Sequence, residues 1–374
     1  MKSMIRLIPI QFLSNSALFA SALFIPILGG ELSATDFQVG LIVASYAFAL
    51  FLSSYIFGRA SDVHGKKFFL QIGLILSAIA CLTQILASNV WTLAISRLCV
   101  GFCAGIYPSA LLSKAYELKE EKIGKFASFG SFGWGFGILV AGILSIYWKI
   151  FLFSSLMFFI CFLFSFIVSF KGEVNVAVPL FPKEVIRKSL PAYLTMLVRH
   201  SGACTVWVIF PLFLYEDLGG SKFWIAILYA LNPLGQFLTM QNIDRFKSTR
   251  LITMGLIISA ISFTGLTLVT EFWQVVIPWV LISVAWGFLY VGSLKFVMER
   301  NIEKATSVGI LGSTLSISSI IGALVGGIVA WQFGRIVNIA MAAVMCGFAL
   351  VLFVVLLRVI DDREEKTSEG SLNV

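Results

Sequence analysis

Long apolar runs broken by short polar turns dominate this chain. A helix that crosses hydrocarbon needs about 20 mostly apolar residues. Twelve such runs can be marked, at roughly 5–28, 38–58, 67–87, 91–113, 127–146, 149–170, 191–214, 222–241, 250–270, 273–296, 305–330 and 335–358. The longest polar connection, from Lys171 to Leu190, carries Pro179, Pro182, Lys183, Arg187 and Lys188 and separates the sixth run from the seventh. The expectation is an all-α, polytopic membrane protein with twelve transmembrane helices in two pseudo-symmetric six-helix bundles. The N-terminal bundle covers 1–170, a cytoplasmic linker 171–190, the C-terminal bundle 191–360 and a disordered cytoplasmic tail 361–374. The first run is too long for the apolar core of a cleaved signal and lacks an obvious small-residue cleavage site, so it reads as the first span.

The halves read as copies. Leu13-Ser14-Asn15-Ser16-Ala17 aligns with Val198-Arg199-His200-Ser201-Gly202, and at the same offset Phe24-Ile25-Pro26 aligns with Ile209-Phe210-Pro211. Asp62 precedes Gly73 at the same spacing as Asp244 precedes Gly255. Repeated halves are a recurring transporter design, with the solute site near mid-membrane at their interface.

Composition agrees. The chain of 374 residues is 59% hydrophobic and 12% charged, against about 25% charged for a soluble domain, so most of its surface must face lipid. The net charge of +8 is a matter of topology: basic residues sit in short loops between apolar runs, where nucleic acid is not the expected partner. With the N-terminus inside, all Lys and Arg except Lys149, Lys222, Arg335, Arg97 and Arg199 fall on the cytoplasmic side. By the positive-inside rule both termini are expected in the cytoplasm of a multi-pass cell-membrane protein. The six cysteines lie inside apolar segments without metal-ligand spacing and read as small buried hydrophobes.

The sharpest motif is the loop after the second run, Gly58-Arg59-Ala60-Ser61-Asp62-Val63-His64-Gly65-Lys66-Lys67. Gly58 allows two helices to approach, Gly65 a tight turn, and Asp62 can pair with a cation or with the N-terminus of another helix. The loop resembles the cytoplasmic signature of the major facilitator superfamily, G-x-x-x-D-x-x-G-[RK]-[RK], at all five diagnostic positions. The resemblance implies that family's fold and rocker-switch alternating access, with Gly58, Asp62, Gly65, Lys66 and Lys67 forming a cytoplasmic gate that steadies the outward-open state. In the second half Met240 and Lys247 replace the glycines while Asp244, Arg245 and Arg250 remain, so Asp244 is a further gate candidate. Arg97-x-x-x-Gly101-x-x-x-Gly105 resembles the family's fourth-helix signature, whose arginine is linked to proton coupling or substrate charge. Gly130, Gly133 and Gly137 resemble its fifth-helix glycine motif without the proline; tight packing explains them equally.

Charges inside spans are costly and functional. Arg97, Arg199 and His200 lie there, and no Asp or Glu does. At least one of Arg199 and His200 should face water or a partner; His200 could exchange a proton near neutral pH or pack through a hydrogen bond. A cavity carrying Arg97 and Arg199 would attract an anion; alternatively, backbone carbonyls and amides such as Asn15 or Asn232 neutralise each arginine. Asn232-Pro233-x-x-Gln236 should kink its helix and present amides one turn apart. The candidate cavity residues are therefore Asn15, Arg97, Tyr107, Arg199, His200, Trp207, Asn232 and Gln236.

There is no P-loop and no H-E-x-x-H, and only His64 and His200 could supply imidazole to a metal. No enzyme, cofactor or metal site is expected. The expected function is secondary active transport of a small organic solute, an organic anion by the charge argument, in a monomer embedded in the lipid bilayer; coupling to a proton or another ion is open. A multidrug or amphiphile efflux transporter is the alternative, and a non-transporting sensor or a lipid flippase on the same fold is the alternative of another class.

Overall fold

The computed structural model describes residues 2–34, 36–118, 122–170 and 175–372. Lys119 and Lys171 of the expected basic loops, and the last two residues, lie outside the described residues. Among the described residues, a short helical turn at Lys2–Ile5 is followed by twelve long helices. They are α1 (Ile8–Glu31), α2 (Asp36–His64), α3 (Lys66–Leu86), α4 (Val90–Leu118), α5 (Ile123–Leu144), α6 (Tyr147–Ser165), α7 (Lys183–Leu212), α8 (Lys222–Met240), α9 (Ser248–Thr267), α10 (Phe272–Glu299), α11 (Lys304–Phe333) and α12 (Arg335–Leu372). Among the described residues, ten helices are long and apolar enough to cross a membrane. The other two long helices, α7 and α8, pack among them as the expected seventh and eighth spans; α7 opens with the charged turns Lys183, Glu184, Arg187 and Lys188.

The repeat is visible in the packing. In the first six helices α1 packs on α5 and α6, α2 on α4, and α3 on α4 and α6. Each pairing recurs six helices later: α7 on α11 and α12, α8 on α10, and α9 on α10 and α12. Without water to drive them together, membrane helices associate by close packing of small residues. Gly133 and Gly137 of α5 lie against the α1 backbone at Phe12 and Ser16 with no room for a Cβ. Their repeat counterparts on α11, Gly322 and Gly326, lie against α7 at Cys204 and Thr205.

The two aligned prolines also act alike. α1 is interrupted at Phe24, just ahead of Pro26. α7 carries Pro211 and widens into a π-helical turn at Phe213–Asp217. Proline supplies no N–H for a helical bond, and in both helices the regular α-helix is interrupted within a few residues of it. α4 is broken between Ala104 and Pro108, after an N-terminus closed by a capping box of Asn89 and Thr92.

Two seams join the six-helix sets, α2 with α11 and α5 with α8, again repeat equivalents. The pairs that touch across them cluster toward one end of the bundle, the end where α2, α4, α8 and α10 finish and α5 and α11 begin. That end carries the basic loops and is called the basic end below.

Candidate functional site

At the basic end the signature loop is a joint between the two sets. Gly58, on the last turns of α2, faces Gly309 of α11, and a Cβ on Gly58 would stand 2.8 Å from the Gly309 Cα. Gly65 turns the chain into α3 with φ +100°, a conformation that costs other residues. Asp62 is 1% exposed. Its carboxylate accepts from the backbone N–H of Ala305 (3.2 Å) and Thr306 (2.7 Å) and from the Thr306 hydroxyl (2.7 Å). These amides belong to the first turn of α11, where N–H groups have no partner within the helix and the helix dipole favours an anion. Lys66 lies 3.4 Å from Asp62 and 3.1 Å from Glu117, so a chain of charges runs from the buried Asp62 through Lys66 to the more exposed Glu117. Lys67 is exposed.

The second seam repeats the device. Asp244, in the turn between α8 and α9, accepts from the backbone N–H of Gly124 (2.6 Å) and Lys125 (2.9 Å) at the start of α5. Burial pushes its carboxyl above the ordinary range, while those N–H donors and the Lys295 and Lys122 charges pull it back. Lys295 donates to the carbonyls of Asp244 (2.9 Å) and Phe246 (2.8 Å), fixing the turn that carries the acid. Further into the bundle, the Ser131 hydroxyl of α5 donates to Gln236 of α8 at 3.0 Å, and Gln236 donates to Asn232. Asn232 and Gln236 are thus brought together, and both are buried at the α5–α8 seam.

The intramembrane cations sit within separate sets. Arg97 is buried between α2, α3 and α4. Its Nη1 donates to Gln84 at 3.3 Å, and its guanidinium lies 4.4 Å from the centre of the Tyr46 ring. Arg199 is buried between α7, α9 and α10; its Nε donates to the Ser259 hydroxyl at 3.0 Å, with the Phe263 and Trp286 rings at 5.9 and 5.6 Å. Arg97 Nε and Arg199 Nη2 are buried without a hydrogen-bond partner among the described residues. The amide that meets Arg97 is Gln84, not Asn15; Arg199 meets a serine, not Asn232.

His200 points along a different face from Arg199, yet both reach Trp286. The imidazole lies 5.0 Å from the Trp286 ring, and Trp286 stacks on Tyr290 at 5.6 Å. Tyr290 adjoins Val291, which packs on Gly124 of α5 at the basic-end closure. A row of three partly exposed rings therefore rises from that closure on α10 and α7. Asn15 donates to the carbonyl of Gln11 at 2.8 Å. Tyr107 is buried in the first set, edge-on to Phe158; Trp207 packs against Phe210, Phe263 and Trp279 in the second. Among the described residues no group of three or more His, Cys, Asp or Glu could hold a metal ion.

Several contributors escape sequence reasoning: Tyr46, Ser259, Trp286, Tyr290, Thr306 and Lys295. Gln84, by contrast, stands out in the sequence as a polar residue within an apolar run. The rest are ordinary types whose role comes from who stands opposite.

Comparison with known proteins points one way. The sequence profile of the Major Facilitator Superfamily matches in two stretches, residues 7–203 and 192–372. An uncharacterized MFS-type transporter of Methanocaldococcus jannaschii is 32% identical over 121 residues, covering 30% of this chain and 31% of that protein. The aligned part thus spans about a third of that relative's length. The crystal structure of the human organic anion transporter MFSD10 matches with a TM-score of 0.78 and 16% identity, over 94% of this chain and 99% of that one. At that identity the likeness is one of fold. Together with the matched signature loop and the repeated packing, these findings show that the chain belongs to the Major Facilitator Superfamily, as a multi-pass membrane protein.

Proposed function

We infer that this protein carries a small organic anion across the cell membrane by rocker-switch alternating access. The basic end is read as cytoplasmic, with both termini there, by the placement of Lys and Arg. In this reading the two six-helix sets are the moving bodies, and both seams are closed at the cytoplasmic end, which is an outward-facing state. The row of His200, Trp286 and Tyr290 forms one wall of the solute path above the closure.

The observation that carries the charge assignment is the pair Arg97 and Arg199. Each guanidinium is buried, each keeps an N–H unpaired, and no carboxylate pairs with either among the described residues. Burying an unpaired cation costs several kcal/mol, and intramembrane charges are kept where function uses them. Both stand against an aromatic ring, Tyr46 or Trp286, and make the middle of the bundle electropositive. A monoanion about 8 Å from one guanidinium gains about 2 kcal/mol at an effective dielectric of about 20. The similarly folded human protein is an organic anion transporter, in keeping with this reading.

The test is uptake into proteoliposomes from a panel of anionic, neutral and cationic solutes matched in size. Anions should be preferred, and Arg199→Gln and Arg97→Gln should each weaken anion affinity about tenfold, that is by about 1.4 kcal/mol. Anion uptake unchanged by both substitutions would remove the assignment. The competing reading, an amphiphile exporter, is favoured by the ring cluster of Phe12, Phe132, Phe136 and Phe237 across α1, α5 and α8. It predicts transport of hydrophobic cations that is indifferent to either arginine.

A further inference from the structure

The connection between α6 and α7 does not simply span the two sets. Residues 175–182 form a strap laid on the last turns of α2. The Val176 N–H donates to the carbonyl of Asp62 at 2.9 Å. Arg59 Nε donates to the carbonyls of Val178 and Pro179, both at 2.9 Å, and the Tyr55 hydroxyl donates to that of Leu180 at 3.1 Å. Val178 and Pro182 are buried beneath it. The strap thus grips, through its backbone, the same Asp62 whose carboxylate caps α11.

Its next two residues do the opposite. Leu180 is 80% exposed and Phe181 60% exposed. They cannot turn inward by a small adjustment, because the Leu180 carbonyl is held by Tyr55 and the Phe181 carbonyl by the Lys183 N–H at 2.9 Å. Proline on either side, Pro179 and Pro182, fixes φ and limits other conformations. Directly after them the exposed first turns of α7 carry Lys183, Arg187 and Lys188 against one acid, Glu184, which pairs with Arg187 at 2.8 Å. An apolar pair beside a net positive patch, at the end of a membrane-spanning bundle, matches the boundary of an anionic leaflet: apolar side chains enter the acyl region and basic ones meet the headgroups.

We propose that Leu180 and Phe181, with Lys183, Arg187 and Lys188, anchor the strap to anionic phospholipid at the basic end, and that this contact stiffens the Asp62–α11 joint. The partner is the lipid surface itself, and the proposal does not depend on which solute is carried. An anchored strap restricts the backbone of Asp62 through Val176. The Thr306 amide, bonded to the Asp62 carboxylate, should then open less often.

The test is hydrogen exchange of the full-length protein in nanodiscs of phosphatidylcholine alone and of phosphatidylcholine with phosphatidylglycerol. The Val176 and Thr306 amides should exchange at least fivefold more slowly in the anionic discs. Leu180→Ser with Phe181→Ser should abolish that difference, while its thermal unfolding in detergent, where both side chains are already exposed, stays that of the parent. Arg187→Gln with Lys188→Gln should remove most of the lipid preference. Equal exchange in both lipids, or a difference that survives the serine pair, would overturn the proposal. Should the serine pair lower the detergent unfolding temperature markedly, Leu180 and Phe181 pack against protein and the anchor is likewise overturned. Lost anion transport with intact lipid-dependent exchange would instead count against the solute reading alone.

Discussion

The α2–α11 and α5–α8 seams are repeat equivalents built to different strengths. Each ends on an aspartate that caps the first turn of a helix in the other set. At α2–α11 the acid is Asp62, fully buried, with three donors, a cation at 3.4 Å and a backbone strap behind it. At α5–α8 it is Asp244, less deeply buried, with two donors, and the Lys295 ammonium hydrogen-bonds to carbonyls rather than to the carboxylate. The close approach differs too. Gly58 meets Gly309 on the first seam; on the second Met240 takes the place of Gly58, and the small residue sits across from it as Gly124, whose Cβ would lie 3.1 Å from the Met240 carbonyl. A pseudo-symmetric carrier need not divide its closure evenly, and the first seam should hold more of it.

The largest expected effect is from Asp62→Ala. It strips three hydrogen bonds from the α11 N-terminus and removes from the buried Lys66 the acid 3.4 Å away, with Glu117 at 3.1 Å. Removing one partner of a buried charge network typically costs about 3 kcal/mol or more. The loss should appear as faster exchange of the Ala305 and Thr306 amides and a lower unfolding temperature. Next is Gly58→Ala. A Cβ there meets Gly309 Cα and the Ala305 carbonyl at 2.8 Å, both backbone, so a helix must move; overpacking of this kind costs about 2 kcal/mol. Asp244→Ala follows at about 1 kcal/mol, the usual value of an N-cap, read at the Gly124 and Lys125 amides. If Asp244→Ala equals or exceeds Asp62→Ala in these readouts, the inequality of the seams is wrong.

In the sequence the two joints differ in their glycines, intact around Asp62 and replaced around Asp244, and both acids stood as gate candidates without a ranking of strength. The spacing of apolar runs, the aligned Pro26 and Pro211, and the basic loops laid out the twelve helices and the repeat, because those signals are local and periodic. What Asp62 caps could not be read, since α11 lies more than 240 residues away and its contribution is a backbone N–H that any residue supplies. The same holds for the strap, which reaches Arg59 and Tyr55 through carbonyls. Arg97 and Arg199 were legible as misplaced charges. Gln84 was legible too, as a polar residue in an apolar run; the other neighbours were not, because a serine and aromatic rings carry no mark of their role until helices are set side by side.

An effect no larger than that of Asp244→Ala sharpens the comparison from the weaker side. Pro233 gives α8 no N–H at that position, and the neighbouring amides Asn232 and Gln236 pair with each other one turn apart. Through Ser131 this pair is a polar bridge to α5, and the α2–α11 seam has a serine-to-backbone contact, Ser313 to Phe51 at 2.8 Å, in its place. Gln236→Leu keeps the volume of the seam and deletes the bridge. Asn232 and Ser131 would then be left buried with fewer partners, at a cost of about 1 kcal/mol. Because the α5–α8 seam has fewer charged contacts to fall back on, that loss should raise exchange at Gly124 and Lys125 several-fold while leaving Ala305 and Thr306 unchanged. Equal loosening of both seams would mean that they open as one unit, and the separate strengths assigned to them would have to be merged.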